Sequence, residues 1–173
     1  VRDYYKVTKY KEVISMNNFY VESIGNVKIN GERFFIKLDS KYSPALRGLE
    51  GFGHLDILWW FSKFDTPQFR SILTANKPYK MSPEILGTFA MRSPVRPNPI
   101  ALSIVDIISI DYEKGLIETS YIDAFDGSDI LDIKPYTPSV DRIENPKVPK
   151  WCDHWPKCVE SSERFDWDSE FNF

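Results

Sequence analysis

From His54 to Ile57 polar and apolar positions alternate, and the same two-residue period carried to Ser62 sorts the chain into two faces. Leu55, Ile57, Trp59 and Phe61 fall on one face and His54, Asp56, Leu58, Trp60 and Ser62 on the other, the period of a half-buried strand. A second alternation starts at Ile100. Ile100, Leu102, Ile104, Ile108 and Ile110 share one side, and Ala101, Ser103, Val105, Ile107 and Ser109 the other, where the small residues suggest room for a second sheet or a ligand. NFYVESIGNV reads as a strand, and VKINGERFFIKL places Asn30-Gly31 between two strand-like runs, which predicts a type I′ hairpin. LIETSYIDAF and ILDIK read as further strands, separated by a turn at Asp126-Gly127. YSPALRGLEGF predicts a short helix with Ser43 as N-cap and Pro44 in its first turn. TPQFRSILTANKPYKMSPEI predicts a loop with one helical turn, and GTFAM a strand.

Short strands at close spacing with tight turns predict a mainly β protein, an antiparallel β-barrel or sandwich with short helices. No glycine-rich dinucleotide turn follows any strand. From Pro135 onward five prolines forbid long regular elements, and the end of the chain is acidic and aromatic. This tail is expected to wrap in an ordered way, with one short helix near 155–164, its tryptophans and phenylalanines stapled to the barrel. Three segments result: a leader at 1–18, a barrel domain at 19–141 and a C-terminal extension at 142–173.

Composition narrows the picture. With 173 residues, 42% hydrophobic and 15% aromatic, the chain is long enough for a folded domain with a substantial core. A formal net charge of -3 excludes the broad basic field of a sequence-indifferent nucleic-acid binder, so RNA contact has to be local, around Lys77, Lys80, Arg92 and Arg96. No stretch has the length and apolarity of a membrane span, and VRDYYKVTKYKEV is unlike a signal peptide; the expectation is a cytoplasmic protein without membrane contact. The two cysteines predict free thiols.

The densest chemistry lies in MRSPVRPNPIALS. Pro94, Pro97 and Pro99 stiffen a loop that carries two guanidinium forks, Arg92 and Arg96, and the amide of Asn98, a prebuilt site for an anion or nucleotide. Asp132, Lys134 and Tyr136 alternate along DIKPY: an acid that could accept a proton, a base and a phenol, or else a salt-bridged edge. Cys152, His154 and Cys158 have no evident fourth ligand, and no metal site is expected. Trp59-Trp60 offers at most one face for base stacking.

GTFAMRSPVRPNPIALS resembles the G-x-F-A-x-R-S-P-x-R-P-N-P-I-G-L-S signature of the TsaA-like (TrmO) family, and DAFDGSDILDIKPYTPSVD its D-x-x-D-G-T-P-V-L-D-I-K-P-Y-x-P-x-x-D signature. ALRGLEGFGHL is similar to a third segment, so the likeness runs from Phe19 to Asp141. The chain departs from the pattern at Gly127-Ser128-Asp129, Ala101 and Gly53, and has no counterpart of the family's P-R-Q turn.

The resemblance implies a homodimeric β-barrel methyltransferase that uses S-adenosyl-L-methionine, with a modified adenosine of tRNA as acceptor. It implies that His54, Leu55, Leu102, Phe125, Asp126, Gly127 and Ser128 contact the cofactor, while Arg92, by its own chemistry, is the first choice to bind an anion, the cofactor carboxylate or a phosphate. Arg96 and Asn98 would face the acceptor, and Asp132, Lys134 and Tyr136 would be catalytic. Other readings are a non-catalytic cofactor- or nucleotide-binding module and a methyltransferase acting on a small metabolite.

Overall fold

A computed structural model describes residues 19–173; the expected leader at 1–18 lies outside the described residues. Among the described residues eight strands form: β1 (Gly25–Asn30), β2 (Arg33–Leu38), β3 (His54–Trp60), β4 (Thr74–Asn76), β5 (Ile85–Gly87), β6 (Ile100–Asp111), β7 (Leu116–Thr119) and β8 (Asp129–Pro135). Six of them close a barrel in the order β1-β2-β7-β6-β3-β8, and β4 and β5 form a separate two-stranded ribbon. Every pairing is antiparallel.

Alternation along β3 turns Leu55, Ile57 and Trp59 inward, where they meet Val27, Ile36, Val105, Ile117 and Ile130 in one buried cluster. The small inner residues of β6 face this filled interior and leave no ligand space: Ala101 is buried, and Ser103 accepts a hydrogen bond from the Trp59 indole at 3.0 Å. A bulge between Ile107 and Ser109 shifts the register of β6, which sends Ile107 and Ile110 against the core and leaves Ile108 exposed. At Gly25 a β-carbon would lie 2.7 Å from Leu38 Cα, so the close approach of β1 to β2 requires glycine.

Several expected elements differ. The hairpin pairs Asn30 with Arg33, so the turn residues are Gly31 and Glu32, and only Gly31 has positive φ, at 62°. That is the type II′ pattern rather than type I′. Residues Ser40–Leu46 form a 3₁₀ helix with Pro44 inside it, and Asp39 precedes it in place of a Ser43 cap. GTFAM is not a strand. Its strand residues lie upstream in β5, and Thr88–Ala90 make a 3₁₀ turn held by Thr88 Oγ1 donating to Ile72 O at 3.2 Å. The two strand readings around residues 19–24 and 120–125 shrink to β1 and β7. The segment before β5 holds α1 (Pro67–Ser71) as its helical turn, with Thr66 accepting from Phe69 N at the N-cap.

The tail contains a 3₁₀ turn at Lys150–Cys152 and the helical turns α3 (Val159–Ser162) and α4 (Trp167–Glu170), after α2 (Pro138–Asp141). Its aromatic residues pack on the β4–β5 lobe and not, as expected, on the barrel core. Tyr79, Leu86 and Met91 form a second cluster with Trp151, Trp155 and Phe171. Trp151 stacks on Tyr79 at 5.5 Å, and Trp155 meets both edge-on. Main-chain bonds from Lys80 N to Glu170 O (3.0 Å) and from Asn172 N to Pro78 O (3.1 Å) zip the last turn to the lobe.

Candidate functional site

Strand direction divides the barrel into two rims. One carries the β1–β2 turn, the long excursion from β3 to β6 and the β7–β8 loop; the other carries the β2–β3 and β6–β7 connections and the exit of β8. The sequence-predicted residues fall on both.

At the first rim the loop Phe125-Asp126-Gly127-Ser128 folds over β1. Asp126 Oδ1 accepts from Ile29 N at 2.9 Å, Gly127 N donates to Val27 O at 2.8 Å, and Val27 N donates to Ser128 O at 2.9 Å. Gly127 has φ 81°, and this left-handed turn lets the loop lie flat on the strand. Beside it opens a cleft with about 90 Å3 of free space, lined by Trp59, Phe61, Lys63, Phe64 and Phe125, with Asp126, Gly127 and Ser128 at its edge. Trp59 and Phe125 were singled out in the sequence; Lys63 and the walls Phe61 and Phe64 were not. Lys63 follows the end of β3 between two phenylalanines, FSKF, and that pattern is the only local signal for it.

The arginine loop returns to the same rim, where Phe61 N donates to Pro99 O at 2.8 Å and Pro99 is buried. Arg92 and Asn98 are exposed and Arg96 is half-buried. Among the described residues neither guanidinium has a carboxylate within ion-pair distance. Met91, next to Arg92, is held in the aromatic cluster of the tail, so the C-terminal segment anchors the root of this loop.

His54 and Tyr136 sit at the opposite rim. Their rings are 6.1 Å apart, and His54 Nε2 is 3.0 Å from Asp106 Oδ1. Leu55 is fully buried in the barrel, with its main chain flanked by Val105 on one side and Pro135 on the other, so this chain presents none of it to a ligand. The seven residues of β3 separate these groups from the cleft by roughly 20 Å. A single chain therefore does not bring His54 and Tyr136 together with Phe125–Ser128.

Between the rims lies the outer face of β3, β6 and β8. Leu102 is 47% exposed there, opposite Leu58. Asp132 and Lys134 share this face, as alternation requires, and Lys134 Nζ donates to Asp132 Oδ2 at 2.5 Å, which raises the lysine pKa. Asp132 Oδ1 also accepts from Ile133 N at 2.9 Å. Asp56 lies across from Lys134 and is only 8% exposed. Burial, and then the charge of Asp141, push its carboxyl above the usual range, against the pull of Lys134.

Trp60 points outward, with its indole donating to Asp65 and Arg70 over its ring, so it is committed to that corner. Cys152 and Cys158 are free thiols and do not converge with His154. His154 is instead 2.9 Å from Glu170, and among the described residues no group of three metal-ligating side chains forms. Nor is any described helix long and apolar enough to cross a membrane.

Together these features define a closed-barrel domain with an aromatic, charged cleft at one rim, built without a βαβ unit. The chain belongs to the tRNA-methyltransferase O N-terminal domain family, whose model matches residues 25–142. It is 33% identical over 108 residues to an S-adenosyl-L-methionine-binding protein of Archaeoglobus fulgidus, covering 62% of this chain and 72% of that protein. It is 34% identical over 116 residues to the tRNA (adenine(37)-N6)-methyltransferase of Escherichia coli, covering 66% of this chain but 48% of the enzyme. The crystal structure of TrmO from Pseudomonas aeruginosa superposes with a TM-score of 0.60 at 26% identity, over 79% of this chain and 63% of that one. The chain thus spans about half of the bacterial enzyme's length in one case and under two thirds in the other.

Proposed function

We propose that this chain binds S-adenosyl-L-methionine at the rim that carries the cleft, and that a homodimer transfers the methyl group to an acceptor, a modified adenosine in tRNA or a related nucleophile. The observation that supports the reading best is the cleft itself. The Phe125–Ser128 signature loop, flat aromatic walls, a free cation and an acid meet at one place on a barrel of this family.

The donor set fits the ligand's chemistry. A sulfonium nucleoside with an amino-acid end needs flat apolar walls, a cation for its carboxylate, an acid for its ammonium and main-chain hydrogen bonds. When bound, it supplies an electrophilic methyl on a positively charged sulfur. The chain's own work is alignment and exclusion of water: Trp59, Phe61 and Phe64 wall the cleft, while Arg92, Arg96 and Asn98 offer the acceptor a stiff polar ledge. Asp132 is the candidate proton acceptor, oriented by Lys134 and by Ile133 N; His54 and Tyr136 complete the set from the far rim of a second copy, and Leu102 from the face between the rims. The free space of about 90 Å3 supports that pairing, because a whole ligand of this size takes roughly 300 Å3 or more.

One observation favours a second reading, a binding module without chemistry. Both oxygens of Asp132 are already engaged, and the Archaeoglobus relative is named for binding alone. Methyl-labelled S-adenosyl-L-methionine incubated with the protein and either total RNA or a small-molecule extract separates the readings. Label in RNA supports the proposal, label in a metabolite changes the acceptor class, and calorimetric binding without transfer leaves the binding module. The cytoplasm, where tRNA and this cofactor occur together, is the compartment the proposal requires.

A further inference from the structure

Lys63 stands in the 3₁₀ turn Ser62–Phe64 with its ammonium 3.4 Å from the centre of the Phe125 ring. A cation over an aromatic face is held in place but not neutralised, since the ring contributes a quadrupole and no net charge. Among the described residues no carboxylate lies within ion-pair distance of Lys63. Its positive charge is therefore fixed, aimed at the cleft and available. The same cleft carries one acid, Asp126, whose Oδ1 is occupied by Ile29 N while Oδ2 makes no hydrogen bond among the described residues. A cation and an anion in one aromatic-walled space of about 90 Å3 match a small group that bears both charges.

We propose that this cleft seats the α-amino-acid end of the ligand, with the carboxylate on Lys63 and the ammonium on Asp126. The inference rests on the cofactor reading above and deepens it: it assigns the methionine portion to Lys63 and leaves Arg92 and Arg96 free for a phosphate of the acceptor. The space is too small for the adenosine portion, which has to lie outside it. Charge-assisted bonds of this kind are directional and short, so they select α-amino acids over plain carboxylates or amines.

Titration calorimetry on the full chain tests this with three probes: S-adenosyl-L-methionine, its decarboxylated form and methylthioadenosine, which lacks the amino-acid end. Wild-type protein is expected to bind the first most tightly. Lys63→Met is expected to weaken it about tenfold or more, while changing methylthioadenosine by less than about twofold. Asp126→Asn, which keeps an acceptor for Ile29 N, is expected to do the same, and Lys63→Met is expected to leave the decarboxylated form unaffected. Thermal melts confirm that both variants fold. Unchanged affinity for S-adenosyl-L-methionine in Lys63→Met overturns the assignment alone. So does loss of RNA retention with cofactor affinity intact, which gives Lys63 to a phosphate. No binding of any probe by the wild type overturns the cofactor reading itself, and this assignment with it.

Discussion

At the scale of single residues, charge placement separates groups that serve the fold from groups that cost it stability. Asp56 is a carboxyl held almost out of solvent on the outer barrel face, raised by burial first and by Asp141 second. A carboxyl whose folded value is raised stabilises the fold only while protonated; that contribution is lost as pH climbs through the folded value, and at neutral pH the ionised group destabilises. Asp56→Asn is therefore expected to raise stability at pH 7 by about 1 kcal/mol, or roughly 2–4 °C in melting temperature. At pH 3, where both states are protonated, the advantage should vanish. Urea unfolding at the two pH values measures it, and a variant less stable than wild type at pH 7 would show that Asp56 has a stabilising partner.

At the scale of elements, the tail behaves as a strut with its own electrostatic lock. Burial works against the charge of Glu170, but the His154 hydrogen bond, the Trp155 indole and Lys80 outweigh it, and its carboxyl sits below the usual range. The indole N–H and Glu170 Oε1 lack hydrogen-bond geometry, so the 2.9 Å contact with His154 carries most of the effect. With a depressed folded value, this stability is present above the ordinary glutamate range and lost as pH falls through the depressed one. Glu170→Ala is expected to weaken the tail by about 1–3 kcal/mol. The amides of Lys80 and Asn172, which carry the zipper, should then exchange faster while β3 amides do not. Equal protection of all these amides in wild type and variant would mean that the lock contributes nothing.

Elements set by local alternation were readable from the sequence. Leu55, Ile57 and Trp59 turned inward as their spacing required, and Ile100 and Leu102 outward. Elements set by a distant partner were not. Thr88 leaves the strand reading because Ile72 offers it a carbonyl, and the tail finds Tyr79 and Met91 instead of the barrel. Lys63 was illegible for the same reason, since its meaning comes from Phe125, which the β7–β8 loop delivers. The loop Phe125–Ser128 could be named from its signature, but the separation of the named residues onto two rims appears only once the strands have directions.

That separation is the argument for a second copy at the scale of the whole molecule. A twofold axis perpendicular to the strands would reverse one barrel against the other, so the cleft rim of one copy would lie beside the His54–Tyr136 rim of its mate. The face available for such contact exposes Ile100 at 39% and Leu102 at 47%, with Leu58 and Ile104 half-buried beside them. Exposed aliphatic side chains in a row on a strand face gain from being covered. Leu102→Asp sets a charge in the middle of that row. In an isolated chain the position is open enough that the change should alter stability by no more than about 0.5 kcal/mol. In a pair it would bury two like charges against apolar surface. Sedimentation velocity is expected to show a dimer for wild type at micromolar concentration and a monomer for Leu102→Asp, and calorimetry a matching loss of cofactor affinity, because each site would lose its second wall. A wild-type monomer that binds the cofactor fully would place the whole site in one chain and remove the reason for pairing.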